Sequence, residues 1–100
     1  MMTKEEFYHY INRGRYPKYL PEQIKEGIPE NNCSAIVLTS SNKVLLAKYE
    51  HGKWQQAHFT SATDNGIYPS QEIYYSDIED DIIYWTDGQA KDHSRAQNDD

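Results

Sequence analysis

The chain has 100 residues, of which 37% are hydrophobic and 26% charged, so it is long enough for one domain with a modest core and too short for two. The net charge is −6, and it is unevenly placed. Residues 1–60 carry eight Lys/Arg against six Asp/Glu, and residues 61–100 carry two against ten, which gives charges of +2 and −8. The acidic half repels nucleic acid and membrane surfaces and attracts basic protein surfaces.

Cysteine content and hydropathy indicate the compartment. The single cysteine, Cys33, has no partner for an internal disulfide. No apolar stretch approaches the length of a signal segment or of a membrane span. We therefore expect a cytoplasmic protein without a membrane partner.

The first element in chain order is a helix with signals at both ends. Thr3 fits the N-cap position, and Glu6, three residues later, completes a capping box. Gly14 supplies a left-handed stop, so the helix is expected to span residues 4–13. The apolar stripe of this helix consists of Phe7, Tyr10 and Ile11.

Three prolines interrupt the segment that follows the helix, residues 15–32. One of them, Pro21, fits the first position of a short helical turn that ends at Gly27. This segment is expected to lie against the body of the domain through its few apolar side chains.

From Cys33 onward the pattern is typical of strands. Two runs rich in β-branched and aliphatic residues, CSAIVLT and KVLLAKYE, are separated by a short polar turn. The run KWQQAHFT follows across His51-Gly52, where glycine suits a tight hairpin. The three strands form a meander. The second strand is apolar on both faces, so we expect it to be central and covered on one side by the helix.

The last third of the chain predicts a loop, two strands and a tail. Residues 60–66 are expected to be a loop because they end in Asp-Asn-Gly, a strong turn signal. The runs EIYYS and DIIYWT predict a fourth and a fifth strand. The sequence therefore predicts one α+β domain over residues 1–88, with an N-terminal helix packed on a single antiparallel sheet of four to five strands. Residues 89–100 are predicted to be a disordered acidic tail.

Two motifs, KVLLAKYEHGKW and, further along, DDIIYW, form a longer pattern. A strand pair reads V-L-x-A-x-Y, a short turn and G-x-W follow, and a closing strand ends in an aromatic residue and tryptophan. Over residues 36–86 this pattern resembles a small domain of unknown function that is common in phages and prophages. The resemblance implies a phage or mobile-element origin, and hence a host bacterial cytoplasm, but no particular activity. It is carried by Val44, Leu46, Ala47, Tyr49, Gly52, Trp54, Ile83, Tyr84 and Trp85.

Carboxylates dominate the stretch from residue 72 to residue 87. Alternate residues of a strand lie about 7 Å apart, close to the phosphate spacing along a nucleic-acid strand, so carboxylates on one face could occupy a basic groove of another protein. The competing interpretation is a solvated loop that keeps an edge strand from pairing with other chains. The candidate partner-binding residues are these carboxylates and the aromatic rings near them: Glu72, Tyr74, Tyr75, Asp77, Glu79, Asp80, Asp81, Tyr84 and Asp87.

The opposite charge is concentrated in RGRYPKY, residues 13–19. Its cations could hold a single-stranded backbone while its rings stack on bases, although the same composition suits a helix-exit loop. Because the total charge is negative, we place nucleic-acid binding second to protein binding. The segment could also pair with the acidic half of its own chain or of a second copy in a homodimer. The residues of this alternative site are Arg13, Arg15, Tyr16, Lys18 and Tyr19.

No motif predicts a metal site or a cofactor. Asp77, Glu79 and Asp81 alternate and would share one face of a strand, but the spacing of an EF-hand is absent. His51 and His58 straddle the predicted hairpin, where strand pairing could bring them near one another, but they lack a third ligand for zinc.

Catalysis is not predicted either, since a lone cysteine that opens a strand is usually a small core residue. We therefore expect a non-enzymatic binding protein of phage or mobile-element type. Its expected partner is a basic host protein that handles nucleic acid, and its expected role is inhibition, like that of restriction or CRISPR inhibitors. The alternatives are a single-stranded nucleic-acid binder and a structural or regulatory domain without a charged interface.

Overall fold

The computed structural model describes the backbone of residues 1–64 and 68–94 and the side chains of residues 1–60 and 72–94. These residues contain one helix, a short 3-10 turn and one antiparallel sheet, which confirms the α+β class. The sheet has six strands, not four to five, in the order β1-β6-β2-β3-β4-β5. The elements are α1 (Lys4–Asn12), the 3-10 turn (Pro21–Gln23), β1 (Ile24–Lys25), β2 (Cys33–Thr39), β3 (Val44–Glu50), β4 (Lys53–Asp64), β5 (Tyr68–Asp77) and β6 (Ile82–Thr86).

Helix α1 has the predicted caps. The Thr3 hydroxyl accepts a hydrogen bond from the Glu6 backbone N–H at 3.1 Å, and the Glu6 carboxylate accepts one from the Thr3 N–H at 2.8 Å. The helix ends at Asn12, one residue earlier than predicted. Gly14 follows with φ of +67°, a conformation that glycine adopts at little cost.

The segment after α1 contains a strand that the sequence did not predict. The expected helical turn ends at Gln23 instead of Gly27, and the next two residues form β1 against Thr86 and Trp85 of β6. Two residues are too few to show the alternation of a strand, so β1 has no signature in the sequence.

The meander of β2, β3 and β4 is confirmed, and β3 lies between the other two strands. The turn between β3 and β4 has His51 and Gly52 at its centre, with φ of +54° and +77°. Two consecutive positive φ angles are those of a type I′ turn, whose twist matches that of the strands it joins.

Strands β4 and β5 form a long hairpin in place of the predicted loop. β4 continues to Asp64, and its residues 60–64 pair with residues 72–68 of β5. The expectation of a loop came from the turn signal at the end of this segment, but a turn signal does not show where the strand before it stops. A hairpin ladder is made by the backbone and tolerates polar side chains. Asn65 and Gly66, the rest of the predicted loop, lie outside the described residues.

The main core lies between α1 and the part of the sheet formed by β1, β6 and β2. Phe7 and Leu38 are fully buried there. The helix covers only one end of β3: Val44 packs against this core, whereas Leu46 is 45% exposed. The prediction that the helix covers β3 is therefore correct for one end of the strand only. We call this side of the sheet the helix face.

The opposite side, which we call the tryptophan face, has a second cluster, and no helix of the described residues covers it. Its buried members include Val37 and Trp85, and the Trp54 ring lies 6.2 Å from the Trp85 ring. The Trp85 indole N–H donates to the Gly27 carbonyl at 3.0 Å, so the loop after β1 is tied to this cluster. Ile78, in the link between β5 and β6, packs on the same cluster.

Residues 89–94 are held against the body, which differs from the expected disordered tail. The side-chain amide of the buried Gln23 donates to the carbonyls of Asp87 and Gln89, at 2.9 and 2.7 Å. The backbones of Lys18 and Asp92 exchange two hydrogen bonds, at 3.0 and 2.8 Å. These contacts join parts of the chain that are far apart in sequence and leave no local signal. Residues 95–100, the rest of the expected tail, lie outside the described residues.

Candidate binding surface

Residues 78–81 connect β5 to β6, and we call them the acidic linker. The Ser41 hydroxyl donates to the Asp80 carboxylate at 2.5 Å, and the Ser40 backbone N–H donates to the Asp81 carbonyl at 2.8 Å. Both bonds hold the linker against the turn between β2 and β3. The side chains of Glu79, Asp80 and Asp81 are exposed. None of the three forms an ion pair with another described residue.

Asp77, the fourth carboxylate of the predicted cluster, is in a different environment. Its Oδ1 lies 3.3 Å from Lys53 Nζ and accepts a hydrogen bond from Gln55 Nε2 at 2.9 Å. The bond from Gln55, and then the bond and charge of Lys53, lower the pKa of Asp77 below its ordinary value. The expected track of four like-charged groups is therefore reduced to three, because strand pairing sets a lysine beside Asp77.

The predicted partner-binding residues of β5 are divided between the two faces of the sheet. Strand register places Tyr75 and Asp77 on the helix face, with Lys48 Nζ lying 4.0 Å from the centre of the Tyr75 ring. It places Glu72 and Tyr74 on the tryptophan face. Because successive strand residues point in opposite directions, one flat partner surface cannot cover both pairs.

Two other predicted residues do not belong to an exposed cluster. Tyr84 is half-buried in the main core, where its ring stacks on Phe7 with 6.2 Å between ring centres. It is therefore a core residue and not an exposed interface anchor. Asp87 follows the last residue of β6, at the opposite end of that strand from Asp81. It lies near Cys33, whose thiol pKa is raised by burial and, to a smaller extent, by the charge of Asp87.

The structure shows an apolar strip of which only Tyr75 was among the partner-binding residues predicted from the sequence. Beyond the edge of α1, four side chains on the helix face are 42 to 53% exposed. Their alternation along the strands is visible in the sequence, but the sequence does not show where the helix stops covering the sheet. Contiguous exposed apolar side chains of this kind often mark a binding surface. The members of this uncovered strip are Leu46, Phe59, Ile73 and Tyr75.

The basic segment, residues 13–19, forms the exit from α1. Arg15 Nε donates to the Ile11 carbonyl at 2.9 Å, and Lys18 Nζ donates to the Asn12 carbonyl at 3.0 Å, so both cations cap the end of the helix. Tyr19 is 8% exposed and belongs to the main core. Its ring is therefore not available to stack on a base, which corrects its assignment to a nucleic-acid site.

The other residues of the alternative site also have contacts within the chain. The Tyr16 hydroxyl donates to the His93 carbonyl at 2.5 Å, and the guanidinium of Arg13 lies 6.0 Å from the centre of the Tyr10 ring. The segment does not reach the acidic linker, because the two lie at opposite ends of α1. The start of the helix is the end near the linker: the Met2 N–H donates to the Asn42 side chain, in the turn that also holds Asp80.

Among the side chains of residues 1–60 and 72–94, no three of His, Cys, Asp or Glu converge on a metal position. His51 lies in the turn between β3 and β4, whereas His58 lies along β4 and contacts Tyr74 and Ser76. The two histidines are therefore not neighbours across the hairpin. Cys33 is half-buried, and its raised pKa disfavours the thiolate that a nucleophile needs.

No protein-family model, curated protein or solved structure matches the chain. In the part of the chain that the structure describes, no helix combines the length and apolarity needed to cross a bilayer.

Proposed function

We propose that the protein is a small non-enzymatic binding protein of phage or mobile-element type. It occupies a basic surface of a host protein that handles nucleic acid, and it inhibits that protein in the manner of restriction or CRISPR inhibitors. The acidic linker supports this proposal: two hydrogen bonds anchor it to the turn between β2 and β3, and its three exposed carboxylates have no counter-charge among the described residues.

The way in which the linker is held favours binding. Ser40 and Ser41 are neutral donors, so they restrict the linker without cancelling its charge. A group that is already ordered loses less conformational entropy when a partner binds. Like charges held close together also raise the rate of encounter with a basic surface, and salt weakens this effect.

The uncovered strip provides apolar side chains for an interface, which the carboxylates of the acidic linker do not. Strand β5 carries Ile73 and Tyr75 and leads directly into the acidic linker, so apolar and anionic groups follow one another along the chain. Buried aromatic and aliphatic anchors contribute most of the affinity in protein interfaces, whereas exposed charges act mainly on association. A partner that contacts both regions would thus bind quickly and dissociate slowly.

The test compares two variants with the same change in net charge. The linker variant carries Glu79→Gln, Asp80→Asn and Asp81→Asn, and the control carries Glu22→Gln, Glu26→Gln and Glu30→Gln at exposed positions elsewhere. Each immobilised protein is incubated with a bacterial lysate at low and at moderate salt, and captured proteins are identified by mass spectrometry. Loss of basic captured proteins from the linker variant alone is the expected result. Equal capture by both variants would show that the linker is not the interface.

Two further measurements address the alternatives. A fluorescent single-stranded oligonucleotide should not bind, because the cations Arg15 and Lys18 cap α1 and the Tyr19 ring is buried. Oligonucleotide binding that Arg13→Gln weakens would assign the function to the basic segment instead. A structural or regulatory domain without a charged interface would capture neither basic proteins nor oligonucleotides at any salt concentration.

A further inference from the structure

Strand β5 is an open edge of the sheet. It has ten residues and pairs with β4 along its whole length, and no described strand lies on its other side. The other edge of the sheet, β1, has only two residues. A long edge strand presents a row of unpaired backbone N–H and C=O groups, which can pair with a further strand.

The middle of this edge lacks the usual protection. Natural edge strands avoid pairing with other chains by means of charges, prolines or bulges. Between Glu72 and Asp77 the edge carries only Ile73, Tyr74, Tyr75 and a serine, and these three large side chains are 42 to 53% exposed. The charges thus flank an uncharged centre.

The stacking of His58 on Tyr74 indicates which side chain of a further strand would pack against the edge of β5. The centres of the His58 and Tyr74 rings are 4.7 Å apart and the ring planes are inclined by only 12°, so the two rings stack between β4 and β5. This separation equals the usual distance between neighbouring strands, 4.7 to 4.9 Å. One face of the Tyr74 ring is therefore covered by His58, and the other points past the edge of the sheet. An aromatic ring at the same position of a further strand would continue the stack.

We propose that β5 pairs with β5 of a second copy, antiparallel, about a two-fold axis at Tyr74. The two six-stranded sheets then form one continuous sheet. Tyr74 lies opposite the partner's Tyr74, which gives a ladder of four rings with a His58 at each end. On the helix face, Ile73 lies opposite the partner's Tyr75, and the two-fold axis repeats this pair.

Other registers fit less well. An axis at Tyr75 sets the apolar Ile73 against the carboxylate of Asp77. An axis at Ile73 sets Tyr74 against Glu72 and interrupts the ring ladder. With the axis at Tyr74, Glu72 lies opposite Ser76, and no two carboxylates of residues 72–77 face each other. Cross-strand aromatic and aliphatic pairs of this kind stabilise antiparallel strands, and like charges directly opposite destabilise them.

The dimer does not depend on the proposed function, since the contacts that define its register are made by residues 72–76 of β5 and not by the carboxylates of the acidic linker. It would bring two linkers together in one assembly, related by the two-fold axis. A symmetric partner could then engage both linkers at once.

Cysteine cross-linking of the full chain tests the register. All variants carry Cys33→Ser, which removes the native thiol. Residues directly opposite in an antiparallel pair are close enough for a disulfide, whereas diagonal residues are not well placed. Under mild oxidation, Tyr74→Cys should form a covalent dimer by itself. Ile73→Cys should form one only when mixed with Tyr75→Cys. Cross-linking of Ile73→Cys alone as readily as Tyr74→Cys, or no cross-linking of Tyr74→Cys, would overturn the proposal.

Sedimentation of the unmodified chain over a range of concentrations tests the dimer itself, whose mass should be twice 11.7 kDa. Tyr74→Asp places two carboxylates opposite each other at the axis and should raise the dissociation constant about tenfold or more. Tyr10→Asp, the same change at a side chain of α1 that is 50% exposed, is the control and should leave the dimer intact. Circular dichroism verifies that both variants are folded. A monomer at every concentration, or loss of the dimer in the control only, would contradict edge pairing.

Discussion

The two halves of the sheet place similar residues in opposite surroundings. In the half formed by β1, β6 and β2, the helix covers the sheet, and Phe7 and Leu38 are fully buried. In the half formed by β4 and β5, Phe59 and Ile73 are about half exposed. Composition does not separate the halves, because both contain aromatic and aliphatic side chains. Their position relative to α1 does: the apolar side chains under the helix are buried, and those of β4 and β5 beyond it are exposed.

The largest expected difference in unfolding free energy is between two variants in which an aliphatic side chain is truncated to alanine. Leu38→Ala empties a fully buried position and should cost about 3 kcal/mol of unfolding free energy. Ile73→Ala removes a half-exposed side chain and should cost less than about 0.5 kcal/mol. Denaturant unfolding followed by circular dichroism, at a protein concentration low enough to avoid association, measures both. Similar losses would mean that the hairpin is part of the stabilising core after all.

A somewhat smaller effect is expected at the buried Asn12. Its side chain donates to the Tyr19 carbonyl at 3.1 Å and accepts from the Tyr19 N–H at 2.7 Å. Asn12→Ala leaves both backbone groups without these partners and should cost about 2 kcal/mol. The control is Asn31→Ala at an exposed position, which should change the unfolding free energy by less than about 0.5 kcal/mol. An equal change in both variants would show that the bonds of Asn12 do not matter.

The cap of α1 should contribute less. Thr3→Ala removes the hydroxyl that accepts from the Glu6 N–H and should cost about 1 kcal/mol. Thr3→Ser keeps a hydroxyl at the same position and should restore most of the loss. Thermal unfolding measures the stability of both variants. Equal destabilisation by Thr3→Ser and Thr3→Ala would contradict the prediction.

The smallest expected change in unfolding free energy concerns Asp77, in the half of the sheet formed by β4 and β5. Because the bonds from Gln55 and Lys53 lower its folded-state pKa, ionised Asp77 stabilises the fold at a pH above its unfolded-state value. This contribution is lost as the pH falls through the folded-state pKa. The difference in unfolding free energy between the unmodified chain and Asp77→Asn should therefore be larger at about pH 7 than at about pH 3.

The control for this measurement repeats Asp77→Asn in a chain that carries Lys53→Gln and Gln55→Ala. Both groups that lower the pKa are then absent. In this background, the change in unfolding free energy caused by Asp77→Asn should depend little on pH. A difference that does not depend on pH in the unmodified background would show that the ion pair does not persist in solution.

Features that depend on a few neighbouring residues could be predicted from the sequence. The capping box of Thr3 and Glu6 and the turn at His51 and Gly52 are of this kind, because their hydrogen bonds and backbone angles are set within four residues. The exposure of Glu79, Asp80 and Asp81 is also predictable, because charged side chains are rarely buried.

Features that depend on distant residues could not be predicted. The side chain of Gln23 binds carbonyls more than sixty positions away, and Lys53 meets Asp77 only after β4 and β5 have paired. Tyr74 and Tyr84 are the same type of residue, yet one is exposed and the other lies in the core. No local pattern distinguishes them, since strand pairing places Tyr84 on the helix face under α1 and Tyr74 on the opposite face, at the edge of the sheet.

The position of β6 has a consequence for synthesis of the protein. β6 lies between β1 and β2, although the ribosome makes it after every other strand. A nascent chain that ends before Trp85 can form the meander, but β1 has nothing to pair with and the outer edge of β2 stays open. Ile24 and Leu38 then remain accessible to chaperones and to aggregation until translation has passed the final strand.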